Sequence, residues 1–233
     1  MTEQEWTQAL GRVVVEEVNT PEFERFFAVK LTPERAKIPL VQIAAFGKHR
    51  RDCWAFVSGN CPEFSVKQKI LAHEYDEIVK DKYSDVGHLD LIVRQGRTLG
   101  LTPEQTLNAE PLPSTRAALY AWGWMTRERP WLEGLAAMMA TEWANDDRLF
   151  PNLGGGVTRR EGIRWVEDLG LTWEQIPLLW SHAEADEAHG EMFLPALAEF
   201  GNGNEEKILG AARESMQLYR VYRLGVALAM EAV

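Results

Sequence analysis

Cysteine is scarce in this chain: Cys53 and Cys61 are the only two, eight residues apart. That spacing matches neither a CxxC redox pair nor a zinc-site pair, so a disulfide framework and a thiolate metal site are both excluded, and the two thiols are expected to be reduced and partly buried. Long apolar runs are missing too. No stretch approaches the ~20 residues that span a bilayer, and Met1-Thr2-Glu3-Gln4-Glu5 lacks the basic and apolar regions of a signal peptide. Positive charge is in deficit, with a formal net charge of −10 and one short basic run, Lys48-His49-Arg50-Arg51. Nucleic acid and anionic membrane are therefore disfavoured as partners, because both require a basic face that displaces counterions. Strand signals are absent as well, since no segment shows apolar alternation bounded by hairpin turns. The expectation is a cytoplasmic enzyme or binding protein that takes a small-molecule substrate.

What the chain does have is the material of a folded interior. It is 45% hydrophobic with nine tryptophans, and its 26% of charged residues suffices for a solvated surface. At 233 residues it reads as a single all-α domain over residues 1–233. Thr20-Pro21-Glu22 and Thr32-Pro33-Glu34 have the form of capped helix starts with proline in the first turn, and short helices are expected after each. Helical periodicity runs from Phe64 to about Lys82 and restarts near His88. It recurs over about 114–128, 130–146, 158–169, 174–200 and 204–230, with Thr102-Pro103-Glu104-Gln105 and Gly170-Leu171-Thr172 as punctuation. A compact helical bundle with ligands on facing helices follows.

One segment carries chemistry. In Ser181-His182-Ala183-Glu184-Ala185-Asp186-Glu187-Ala188-His189, two imidazoles and a carboxylate stand at relative positions 0, 4 and 7. At ~100° per residue these three fall within roughly 60° on one helical face, the geometry of a metal-ligand set, while Glu184, Glu187 and Glu191 face away. The chain has only five histidines, and two are here.

Partners for that trio must come from other helices. Glu142 follows Leu135, Met138 and Met139 on a helix suited to burial, where a carboxylate needs a cation or hydrogen bonds; the alternative is a helix-edge residue reaching solvent beside Asn145 and Asp146. His88 offers a third imidazole at a helix start, and Glu74, Glu77 and Asp81 precede it on roughly one face. Gly87 argues against Asp85-Val86-Gly87-His88 as a continuous helical pair. His49 and His73 have no such company and are read as structural. Three imidazoles and three carboxylates suit two ferrous or manganous ions better than zinc. A ferritin-like bundle would show two Glu-x-x-His motifs, and Asp186-x-x-His189 is the nearest approach. Arg50, Arg51, Arg94 and Arg97 are candidates to clamp a substrate carboxylate, and Trp143, Trp180, Tyr120 and Trp122 to line a pocket, although surface and core roles are the ordinary ones for these residue types.

His182-x3-Asp186-x2-His189, the upstream Glu142 and the acidic helix end before His88 resemble the heme-oxygenase-like diiron oxidases and oxygenases, over roughly residues 45 to 200. The resemblance implies a seven-helix heme-oxygenase-like fold, two Fe(II) ions held by side chains without heme, and dioxygen as co-substrate in oxidising an amino acid, amine or fatty acid. It implies His88, Glu142, His182, Asp186 and His189 as metal ligands together with a carboxylate before His88, for which Glu77 is favoured and Asp81 is the alternative. The same architecture also resembles the metal-independent thiaminase II and pyrroloquinoline quinone synthase, and a non-catalytic helical binding protein is the third reading. A homodimer is one assembly the sequence permits.

Overall fold

The computed structural model describes residues 1–80 and 83–233, and the side chains of all of these except 184–190. Twelve α-helices form among the described residues, and no strand. They are α1 (Glu3–Val18), α2 (Pro21–Ala28), α3 (Pro33–Asn60), α4 (Phe64–Ile78), α5 (His88–Thr98), α6 (Pro103–Leu107), α7 (Pro113–Glu128), α8 (Trp131–Trp143), α9 (Val157–Leu169), α10 (Pro177–Glu191), α11 (Leu194–Phe200) and α12 (Glu205–Glu231). Single 3-10 turns stand at Asp147–Leu149, Pro151–Leu153 and Trp173–Gln175. No described helix is long and apolar enough to cross a membrane.

Local chemistry explains most boundaries. Thr2 and Thr102 make capping boxes with Glu5 and Gln105, and Gly170 ends α9 in the left-handed conformation at φ 66°. Two expectations need correction. Thr32 caps not a short helix but one of 28 residues, α3, which continues through the buried Pro39. The expected helix over 174–200 is broken, because α10 ends at Glu191 and α11 starts at Leu194. Pro195 sits in the first turn of α11, where its missing N–H costs nothing; inside a continuous helix it would remove a hydrogen bond and clash with the preceding turn.

The centre of the molecule is α8, buried from Gly134 to Trp143 without interruption. α12 packs along it, and α7, α3, α10 and α1 complete its surroundings. Phe46 of α3, Trp122 of α7 and Tyr219 and Tyr222 of α12 pack ring on ring, with Phe46 5.2 Å from Trp122 and 6.0 Å from Tyr219. Each such fully buried aromatic side chain contributes about 1.5–3 kcal/mol of transfer free energy, so this cluster fixes α3, α7 and α12 around α8. α4, α5 and α10 close the opposite side. There α4 buries only a narrow stripe, Val66, Ile70, His73 and Glu77, and leaves Leu71, Tyr75 and Ile78 exposed.

Candidate metal centre

Between these two sides lies a cavity of about 230 Å³. Its walls come from α3 (Phe46, Arg50), α5 (His88, Gln95), α8 (Thr141, Glu142), α9 (Glu161, Trp165), α10 (Leu178, His182) and α12 (Tyr219, Arg223), with Glu77 at the end of α4. Apolar side chains, among them Leu40, Ile43, Ile92 and Leu179, cover much of the rest. A small, mostly apolar chamber with a few convergent polar groups is the ordinary form of a small-molecule site.

Glu77, His88 and His182 meet on one wall. Each offers a ligand atom, and these atoms all lie within 4.8 Å of one another. Glu77 Oε2 is 3.1 Å from His88 Nδ1, and the His88 and His182 ring centroids are 4.4 Å apart. Gly87 makes this approach feasible: a Cβ there would stand 2.0 Å from the Ile78 carbonyl oxygen, so only glycine lets the start of α5 press against the end of α4. His88 is thereby the first residue of α5 and faces Glu77 across the connection.

Electrostatics keep Glu77 ionised. Burial alone would push its carboxyl up, but the charges of His88 and Arg51, with the hydrogen bond to His88, outweigh burial and hold it well below the usual carboxylate range. Arg51 is shared, since its Nη1 lies 2.9 Å from Glu74 Oε1 and 3.1 Å from Glu77 Oε2.

Two imidazoles and a carboxylate are a donor set that suits ferrous iron with coordination positions left open. Ligand atoms that share one small dication stand about 3–4 Å apart, so the cluster fits an ion with little adjustment.

Glu142 faces the same cavity in different company. It is buried on α8, so the solvated-edge alternative does not hold, and its Oε1 accepts from Arg50 Nη2 at 2.5 Å. Arg50 also donates to Thr141 Oγ1 at 2.6 Å and to the Met138 carbonyl at 3.1 Å, and its guanidinium lies 5.2 Å from the Phe46 ring centre. Against the cost of burial, the Glu142 carboxylate raises the Arg50 pKa.

His73, read from the sequence as structural, is fully buried; its Nε2 is 3.9 Å from Glu142 Oε1 and its Nδ1 3.1 Å from Glu74 Oε1. The signal that would have found it is its place four residues before Glu77 on the buried face of α4. The side chains of Asp186 and His189, and all of Asp81, lie outside the described residues.

Other expectations are redistributed. Arg50 and Arg51 line the cavity, whereas Arg94 is exposed and paired with Asp85 at 2.7 Å, and Arg97 is exposed. The aromatic lining comes from Phe46, Trp165 and Tyr219 and not from Trp143, Trp180, Tyr120 or Trp122. Trp122 is instead core, its Nε1 donating to Ser215 at 2.9 Å, while Tyr120 is 71% exposed. Trp165 and Gln95 carried no sequence signal beyond their apolar or polar type.

A family model described as iron-containing redox enzyme matches residues 39–220, and no curated protein matches the chain. Among solved structures, a domain of unknown function with a heme oxygenase-like fold from Shewanella denitrificans OS217 is similar at 16% identity and a TM-score of 0.76, with 99% of this chain and 94% of that one covered. A TenA homologue from P. horikoshii OT3 follows at 11% identity and TM-score 0.69, covering 99% and 100%. Another from Pseudomonas syringae pv. tomato DC3000 stands at 14% and 0.63, covering 99% and 92%. At such identities the likeness is one of fold. The fold is all-α and heme-oxygenase-like, its helices divided more finely than the seven expected, and the chain belongs to the iron-containing redox enzyme family.

Proposed function

We propose that this protein is a non-heme iron enzyme that uses dioxygen to oxidise a small organic substrate, an amino acid, amine or fatty acid, held in the cavity above Glu77, His88 and His182. The observation that carries the reading is the convergence of those three side chains, from three different helical segments, within 4.8 Å on the wall of a mostly apolar chamber. Two Fe(II) ions are the full complement in this reading, with Glu142, Asp186 and His189 as the remaining ligands it calls for.

Bound ferrous iron would supply the one-electron chemistry with dioxygen that amino-acid side chains lack. The chain's own residues do the remainder. His88 and His182 bind as neutral imidazoles, so protons compete with a metal for them. Glu77 brings a carboxylate that Arg51 and His88 already keep ionised, so no proton has to leave it on binding. Leu40, Ile43, Ile92, Leu178 and Leu179 exclude water around the reacting substrate, and Arg223 and Gln95 on the far wall offer polar groups that orient it.

Purified protein loaded anaerobically with Fe(II) is expected to hold up to two irons per chain at saturation and to develop a transient visible band on exposure to oxygen. Loading that survives His88→Ala or His182→Ala would overturn the reading in favour of a metal-independent enzyme of this fold.

A further inference from the structure

We propose that the end of the cavity away from Glu77, His88 and His182 is a subsite for the head group of an α-amino acid, held by Gln95 and Trp165 beside the Arg223–Glu161 pair. The substrate's side chain, and not its α-carbon, then lies at the three ligands. The proposal deepens the reading above by choosing one of its three substrate classes, and it rests on this cavity being the substrate chamber.

Three helices give the cavity its direction. On α5, His88, Ile92 and Gln95 stand at relative positions 0, 4 and 7 and all line it, so one helical face leads from a ligand through an apolar residue to an amide. Seven residues of α-helix rise about 10 Å, which sets Gln95 that far along the wall from His88. On α9, Arg159 donates to the Ala183 carbonyl beside His182, while Gly162 abuts the Trp173 ring ahead of α10, where an added Cβ would meet it at 2.4 Å. α9 therefore runs antiparallel to α10, and Trp165 lies away from His182. The turn Trp173–Gln175 packs against both α5 and α10, so Gln95 and Trp165 leave the metal end in the same direction.

What stands there is polar material without a protein partner. Gln95 and Trp165 are each 1% exposed, and neither Gln95 Oε1 nor Trp165 Nε1 has a hydrogen-bond partner among the described residues. Buried polar atoms left unpaired are costly, and side chains with a purely structural role are ordinarily paired. The two ask for opposite things: Gln95 Oε1 needs a donor, and Trp165 Nε1 an acceptor. One turn before Trp165, Glu161 Oε2 accepts from Arg223 Nη1 at 2.8 Å, and Arg223 Nη2 donates to the Tyr219 hydroxyl at 2.6 Å. Burial pushes the Tyr219 pKa up, so the phenol keeps its proton; with its oxygen engaged by Arg223, that proton is what it has to offer.

The wall thus presents one cation and one anion already paired, with a donor and an acceptor beyond them. A fatty-acid head offers only acceptors and faces the Glu161 carboxylate, whereas an amine head offers only donors and faces Arg223. An α-amino acid carries both groups on one carbon. Its ammonium suits Gln95 Oε1 and Glu161, and its carboxylate suits Trp165 Nε1 and the Tyr219 hydroxyl, so each competing head leaves one set of buried groups unmet.

The test is equilibrium binding of three probes: norleucine, hexanoate, which lacks its ammonium, and pentylamine, which lacks its carboxylate. Titration calorimetry under nitrogen measures them on Mn(II)-loaded and on chelator-treated protein. Norleucine is expected to bind at least about tenfold more tightly than either in both forms, tenfold being the scale of one charge-assisted hydrogen bond. Gln95→Leu keeps the bulk of the side chain and should erase most of that preference. It should leave Mn(II) affinity within about threefold and melt no lower than wild type, because it removes a buried polar atom that has no partner. Norleucine that binds no more tightly than hexanoate or pentylamine overturns the proposal, as does a norleucine affinity unchanged in Gln95→Leu. Norleucine binding that vanishes on chelation also overturns it, because the head group would then sit on the metal. Should Gln95→Leu not fold, Trp165→Phe, which removes the indole N–H and keeps a ring, decides by the same norleucine and Mn(II) criteria. Mn(II) uptake reports separately on the iron reading: protein that takes no ion yet prefers norleucine through Gln95 refutes that reading and keeps this one.

Discussion

Glu77 and Glu142 line one cavity, and the chain treats the two buried carboxylates differently. Glu77 ends α4, a helix that buries only a narrow stripe and leaves Leu71 and Ile78 exposed, and it is met by an imidazole and by a share of Arg51. Glu142 stands on α8, which is buried all round, and is met by the Arg50 guanidinium at 2.5 Å and the His73 imidazole at 3.9 Å. The difference shows that burial alone does not make a carboxylate a ligand. What differs is the company: Glu77 meets two imidazoles close enough to share an ion with it, while Glu142 is tied through Arg50 to α3.

The contrast breaks most visibly in stability. Replacing Glu142 by Ala leaves Arg50 buried without its carboxylate, and removing one member of a buried pair costs about 3–5 kcal/mol. At ~2–4 °C per kcal/mol for a chain of this size, the metal-free variant should melt about 10 °C below wild type. Glu77→Ala should fall much less, because Arg51 keeps Glu74. Thermal melts of both variants in the presence of a chelator make the comparison, and equal losses would dissolve it.

The sequence made one of these sides legible and left the other obscure. The ends of α7, α9 and α12 follow from punctuation and periodicity, and Glu77, His88 and His182 could be named as residue types at helical spacing before they were seen together. Glu142 could be suspected, because a charged group on an apolar helix must find a partner. Its partner could not be named, since Arg50 lies 92 residues away in a run that reads as an ordinary basic patch. Packing turned that run inward: Arg50 reaches Glu142, Arg51 reaches Glu74 and Glu77, and Lys48 reaches the Leu107 carbonyl. His73 reads as structural in the sequence because no other ligand type keeps it company there; the 4-3-4 spacing of Val66, Ile70, His73 and Glu77 puts it on the buried face of α4, near Glu74 and Glu142.

A sharper probe of the Glu77 side is Gly87→Ala. The added Cβ would meet the Ile78 carbonyl oxygen at 2.0 Å, so α5 must shift away from α4 and carry His88 from Glu77. Overpacking of this kind costs about 1–3 kcal/mol, less than the loss expected for Glu142→Ala. Binding should suffer more than stability: Mn(II) affinity is expected to weaken about tenfold or more, since tenfold is only ~1.4 kcal/mol of lost positioning. Unchanged affinity, measured by equilibrium dialysis, would show that His88 does not need its present register to serve the site.

The smallest effect lies in the acid limb of stability and separates the two carboxylates by charge. Burial raises the Glu77 carboxyl, but His88 and Arg51 more than offset it, so its folded pKa lies below the unfolded value of ~4.3. As pH falls the unfolded chain takes up the proton first. The contribution of Glu77 is therefore fully present above the unfolded value and is lost as pH drops through the folded one. Metal-free protein held with a chelator should show this as a decline of the melting midpoint below pH ~4, steeper in wild type than in Glu77→Gln. A neutral amide in place of Glu77 removes the proton uptake but keeps the shape of the group, so packing contributes nothing to the change of slope. Identical acid limbs would mean that His88 and Arg51 do not hold Glu77 ionised in solution, and the charge left over for an ion on that wall would then be absent.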